Sequence, residues 1–245
     1  MLILRFDRSV RRRLVVSLIF FGSLLLVRGA WELSGAVPAG AGDLAPLREV
    51  AGRPQAVVLT FNITWGRQVP EAVLDRLAAA NARAVFFVTG PWARANPDLV
   101  RRMLAEGHDV GTLGNTVVSL TASPPDRIAA ELEAAGAELR RAGAPAPRFF
   151  RPPGGAYDDR VVAAARALGL RTVLWSVDGR DWLNPGSDVI ASTVLAAARQ
   201  GSIVLLHATD GSRQTLEALP ALLRGLRERG LEPLPLSELL DTSRT

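Results

Sequence analysis

The chain of 245 residues has no cysteine and no lysine, two histidines and a single tyrosine. Without cysteine there is neither a disulfide nor a thiolate metal site, and the absence is compatible with a location outside the cytoplasm. His108 and His207 are the whole imidazole complement and fall on different strand-like runs, so a familiar zinc cluster is not available. Positive charge is carried by arginine alone, which reads as coding bias, and the formal net charge is +5. That surplus sits at one end. Residues 1–13 hold Arg5, Arg8, Arg11, Arg12 and Arg13 against Asp7, leaving a body close to neutral. A neutral body argues against a nucleic-acid partner.

Long uncharged runs are also scarce, with one exception. Leu14 to Val27 (LVVSLIFFGSLLLV) is bounded by Arg13 and Arg28. As helix its length is about 21 Å, short of the roughly 30 Å hydrocarbon core, so it reads as a signal-peptide core or a short membrane anchor. Ala39-Gly40-Ala41 resembles a cleavage site but lies far beyond the apolar run, which favours the anchor. In both cases the basic flank stays in the cytoplasm and the body faces outward, anchored or secreted. The chain therefore divides into a basic flank with hydrophobic segment (1–30), a linker (31–53) containing GAVPAGAG, and one domain (54–240).

Within the domain, short apolar runs alternate with amphipathic ones. The strand-like runs are Ala56 to Asn62, Ala84 to Thr89, His108 to Thr112, Arg148 to Arg151, Thr172 to Val177, Ser202 to His207 and, more weakly, Glu232 to Leu234. Between them, Asn96-Pro97, Ser123-Pro124 and Asp158 open helical segments, and Gly107, Gly143 and Gly169 stand where such helices end. About seven alternations predict a parallel sheet, doubly wound or closed as a (β/α) barrel, with working residues at the carboxyl ends of the strands.

Those ends carry five polar clusters: Asn62, then TLGNTV (Thr112 to Val117), RPPGGAYD (Arg151 to Asp158), VDGRDW (Val177 to Trp182) and LLHATDG (Leu205 to Gly211). In order and spacing the chain resembles the NodB-type polysaccharide deacetylases, carbohydrate esterase family four, whose motifs read T-F-D-D, H-[ST]-x-x-H, R-x-P-x-G, D-x-x-D-W and L-x-H. They align with Thr60 to Ile63, Leu113 to Val117, Arg151 to Gly155, Asp178 to Trp182 and Leu205 to His207. The Thr64-Trp65-Gly66 that follows is similar to a sporulation-associated subgroup. The resemblance implies a distorted (β/α)7 barrel and metal-dependent N-deacetylation of cell-wall glycan or muropeptide of the peptidoglycan or chitin type.

The departures fall on the reacting groups. The general-base position is Asn62, and the three positions for ligands to a divalent metal such as zinc are Ile63, Leu113 and Val117. An amide accepts no proton near neutral pH, and a missing general base costs about 10²–10⁴-fold in rate. Without a metal to lower its pKa, the attacking water is lost too. No cofactor is expected. The resemblance still assigns Arg151 and Asp181 to orienting the base, His207 to the general acid and Leu205 to the acetyl pocket, while Trp65, Tyr157 and Trp182 offer faces for a sugar ring.

Each of these has a plainer reading. Asn62 suits a strand end closed by hydrogen bonds to nearby backbone, or an acetamide contact. His207 suits a structural histidine or a ligand contact, and Arg151 with Asp181 a buried ion pair between loops. His108 is read as structural. Two functions follow: a non-catalytic glycan- or partner-binding member, or a deacetylase with a rearranged or metal-independent site.

Overall fold

The computed structural model describes residues 45–51 and 55–241. The hydrophobic segment Leu14 to Val27 and its downstream candidate cleavage site lie outside the described residues. Among the described residues no helix is long and apolar enough to cross a membrane.

Strand β1 (Ala56–Ile63) is the hub, pairing in parallel with β2 (Val85–Val88) on one side and β7 (Ile203–His207) on the other. Beyond β2 come β3 (Asp109–Thr112), β4 (Phe149–Phe150) and β5 (Arg171–Thr172); beyond β7 comes β6 (Val177–Asp178). The short β8 (Glu232–Pro233) adds to the start of β1. Every pairing between these strands is parallel, as helical crossovers require. This is the distorted (β/α)7 barrel expected from the sequence.

The expected run Thr172 to Val177 is split. Its start pairs with β4 and its end with β7, so residues 171–178 cross from one edge of the curled sheet to the other. Where those neighbours diverge, Leu47 fills the gap, donating to the Thr172 carbonyl at 2.9 Å and accepting from Leu174 N at 2.8 Å. Val50, also from the expected linker, is buried and donates to the Gly201 carbonyl at 2.8 Å. The compact body therefore begins several residues before position 54.

Side-chain alternation along β1 sorts the core into two layers. Val57, Leu59, Phe61 and Ile63 pack with helical residues such as Val73, Leu74 and Leu222. Ala56 and Val58 face the other way, with Phe87, Phe149, Val173 and Ile203, and Leu236 and Leu239 join them. Thr60 and Asn62 continue this second face toward the carboxyl end.

The helices lie between the strands: α1 (Gln68–Ala79), α2 (Gly90–Ala95), α3 (Pro97–Ala105), α4 (Pro125–Arg141), α5 (Asp159–Ala167), α6 (Ser187–Ala197), α7 (Arg213–Glu228) and α8 (Leu236–Asp241). Asp158 caps α5 as expected, its Oδ1 accepting from Val161 N at 3.0 Å. Asn96 precedes α3, but its amide bonds back to the Trp92 carbonyl at 3.0 Å. Gly107 and Gly169, both at positive φ, end α3 and α5.

Candidate functional site

The register of β1 against β7 sets Asn62 beside His207 and Thr60 beside Leu205, all on one face of the sheet. Arg151, just past β4, reaches into the same space and is fully buried. Its Nη1 donates to Thr60 Oγ1 at 2.7 Å and to Asn62 Oδ1 at 3.0 Å. Nη2 donates to the Leu174 carbonyl at 3.0 Å, and Nε to the Val173 carbonyl at 3.4 Å. The guanidinium carbon lies 4.2 Å from the centroid of the Phe87 ring and 5.5 Å from that of Trp175. Hydrogen bonds and ring faces surround this cation, and among the described residues no carboxylate touches it. Burial pulls its pKa down to about 9, which leaves it charged at neutral pH.

The other half is built around Asp181, also buried, on the turn Asp181–Leu183. Its Oδ2 accepts from His207 N at 2.6 Å and from Thr215 Oγ1 at 2.7 Å, and its Oδ1 lies 2.9 Å from His207 Nδ1. A carboxylate at Nδ1 fixes the tautomer with the proton there and turns Nε2 outward. The His207 side chain keeps 26% of its surface exposed.

The expected pairing of Arg151 with Asp181 is not formed. Both side chains are committed elsewhere, Arg151 to Asn62 and Thr60, Asp181 to His207 and Thr215. Thr215 is a supporting residue that the sequence did not single out, and Thr60, which opens the aligned Thr60 to Ile63 motif, is given no role there. Thr60 accepts from Arg151 and donates to the Val204 carbonyl at 2.6 Å. Thr215 comes from α7, and nothing in its local sequence marks it.

Trp182, 60% exposed, follows Asp181 in the chain. Trp65 is 56% exposed and lies against Gly211, where an added Cβ would sit 3.3 Å from its ring. Its loop is held by the Trp92 indole, which donates to the Gly66 carbonyl at 2.6 Å, and by Asp210, which accepts from Val69 N at 2.9 Å. Leu205 is buried beside Thr60. Tyr157 instead packs half-buried against the cluster of Leu120, Ile128 and Phe150. His108 is buried away from this site, its Nδ1 accepting from Ala84 N at 3.1 Å. Cavities of about 360 and 500 Å³ lie near the amino ends of the strands, around Leu223 and Arg227, and share no residue with the site.

The donor set does not fit the divalent ion implied by the resemblance. Ile63 is buried among the helix-facing residues, Leu113 lies in the opposite core layer, and Val117 is 60% exposed. None has a lone pair to give, and the three do not share one environment. Among the described residues, no group of three or more histidine, cysteine or acidic side chains is placed to hold a metal ion.

The polysaccharide deacetylase family profile matches residues 49–173. A chitooligosaccharide deacetylase of Bradyrhizobium sp. (strain ANU 289) is 39% identical over 198 residues, spanning 76% of this chain and 90% of that protein. The chain therefore belongs to the polysaccharide deacetylase (NodB, carbohydrate esterase 4) family. A peptidoglycan-N-acetylglucosamine deacetylase of Bacillus cereus is 35% identical, with 78% of this chain and 91% of that one aligned. Among solved structures, the wild-type carbohydrate esterase 4 pseudoenzyme BA3943 of Bacillus anthracis superposes with a TM-score of 0.74 at 31% identity, covering 80% of this chain and 71% of that one. A mutant of that protein is described as having restored enzymatic activity.

Proposed function

We propose that this protein is a non-catalytic member of its family that binds N-acetylated glycan, of the peptidoglycan or chitin type, at the carboxyl ends of its strands. The observation that carries this reading is Asn62, an amide fixed by Arg151 where a proton-accepting carboxylate would stand. The side chains at Ile63, Leu113 and Val117 support it, because they supply no lone pair to a metal that would activate water. Exposed Trp65 and Trp182 on the surrounding loops supply faces on which sugar rings stack. The leader places the domain outside the cytoplasmic membrane, facing the cell wall.

The test is acetate release from N-acetylglucosamine oligomers, paired with the metal content of the protein after incubation with zinc, cobalt or nickel and removal of excess. The expected result is no turnover and no tightly held ion, in the wild type and in Asn62→Asp alike. Appreciable turnover by either protein would overturn the reading.

The intact pair of His207 and Asp181 favours a second reading, a deacetylase whose water is activated by His207 without the family's metal arrangement. It requires a wild-type rate that His207→Ala abolishes.

A further inference from the structure

An arginine has hydrogens and no lone pair, so the Asn62 atom 3.0 Å from Arg151 Nη1 must be the carbonyl oxygen. That contact settles the amide's orientation and turns Nδ2, with its two hydrogens, away from the guanidinium. Among the described residues Nδ2 makes no hydrogen bond, and the half-buried Asn62 side chain remains in reach of solvent. Two further facts bear on what this free donor can meet. Among the described residues Arg151 touches no carboxylate, so its charge meets hydrogen-bond acceptors and ring faces rather than an opposite charge. Asp181 is already engaged by three donors from His207 and Thr215.

From this arrangement we infer that Asn62 makes the strand-end site a reader of acetylation state, accepting the N-acetyl group of an amino sugar and rejecting the free amine. The inference rests on the glycan-binding reading above and adds to it a specificity and the residue that sets it. An acetamido carbonyl is a hydrogen-bond acceptor and suits Nδ2 with its hydrogens. The deacetylated sugar presents an ammonium, which has only donors and carries positive charge. It would set donor against donor and cation toward the buried cation of Arg151. A donor left without an acceptor in a partly desolvated site is costly, and polar sites reject ligands lacking the complementary group far more strongly than apolar pockets do. A carboxylate at position 62 would invert this, since it accepts and attracts the ammonium.

Binding of an N-acetylglucosamine tetramer and of a glucosamine tetramer to the full chain, measured by calorimetry near neutral pH, tests the inference. The wild type is expected to prefer the acetylated oligomer by at least about tenfold. Asn62→Asp is expected to lose most of that preference or reverse it, and Asn62→Ala to weaken acetylated binding without gaining the amine. A structural role for Asn62 would instead lower both affinities together. Circular dichroism on each variant separates loss of specificity from loss of fold. Equal affinities for the two oligomers in the wild type, or an unchanged preference in Asn62→Asp, would overturn this inference while leaving a glycan-binding site in place. Failure of the wild type to bind either oligomer would overturn the glycan-binding reading and this inference with it.

Discussion

The two halves of the strand-end site differ in how they treat charge. Around Asp181, a buried carboxylate is met by a histidine ring, a backbone amide and a threonine hydroxyl, a self-consistent cluster. Around Arg151, a buried guanidinium is met by an amide, a hydroxyl, two carbonyls and aromatic faces. A charge removed from water is strongly stabilised only when it is both paired and hydrogen-bonded. The first half surrounds its carboxylate with three donors, one of them on a ring able to carry the opposite charge, whereas the second is hydrogen-bonded to neutral groups alone. Replacing a carboxylate by an isosteric amide at position 62 therefore preserves the shape of the site while removing its proton acceptor and its counter-charge together.

This contrast can be probed by substitution, and the largest effect is expected at Arg151. Arg151→Ala removes four hydrogen bonds and leaves a cavity beneath Phe87, so urea unfolding should show a loss of at least about 3 kcal/mol. A smaller loss would mean that the unpaired cation was itself a substantial burden. Asn62→Asp should act in the opposite direction, supplying the missing counter-charge and raising stability by about 1–2 kcal/mol. Thr215→Val, on the balanced half, deletes one of three donors to Asp181 and should cost about 1 kcal/mol in the same assay.

The smallest effect concerns pH and lies outside both halves. Burial lowers the His108 pKa below its ordinary 6.5, with Nδ1 accepting from Ala84 N. Below about pH 6.5 the unfolded chain gains a proton that the folded chain does not take up. The stability associated with His108 is thus full above that pH and declines as pH falls toward the folded value, by no more than about 1.4 kcal/mol per unit. Denaturant titrations between pH 7.5 and 5.5 should show this slope in the wild type and a flatter one in His108→Gln.

Much of the site was legible because the chemistry sits at strand ends, and strand ends are visible as apolar runs closing on polar residues. The run VVLTFN announces both the buried strand and the residue it delivers. The pairing of Arg151 was not legible. Arginine and aspartate in neighbouring loops suggest an ion pair, yet their partners were decided by residues 89 and 26 positions away, Asn62 and His207 respectively. Thr215 was invisible for the same reason, being one helical hydroxyl selected by the packing of α7 against the Asp181 turn. The split of the run Thr172 to Val177 likewise depended on Leu47, a residue read as linker.

The sequence by itself determined the parallel alternation of strands and helices, the order of the loops and the amide and apolar side chains at Asn62, Ile63, Leu113 and Val117, because periodicity and residue chemistry are local properties, while its resemblance to the family chose the barrel over a doubly wound sheet. Only the tertiary structure decided which way Asn62 points, that Arg151 is held by Asn62 and Thr60 and that Asp181 belongs to His207. Those outcomes depend on distances between strands far apart in the chain, and the direction of an amide is fixed only by the donor that reaches it.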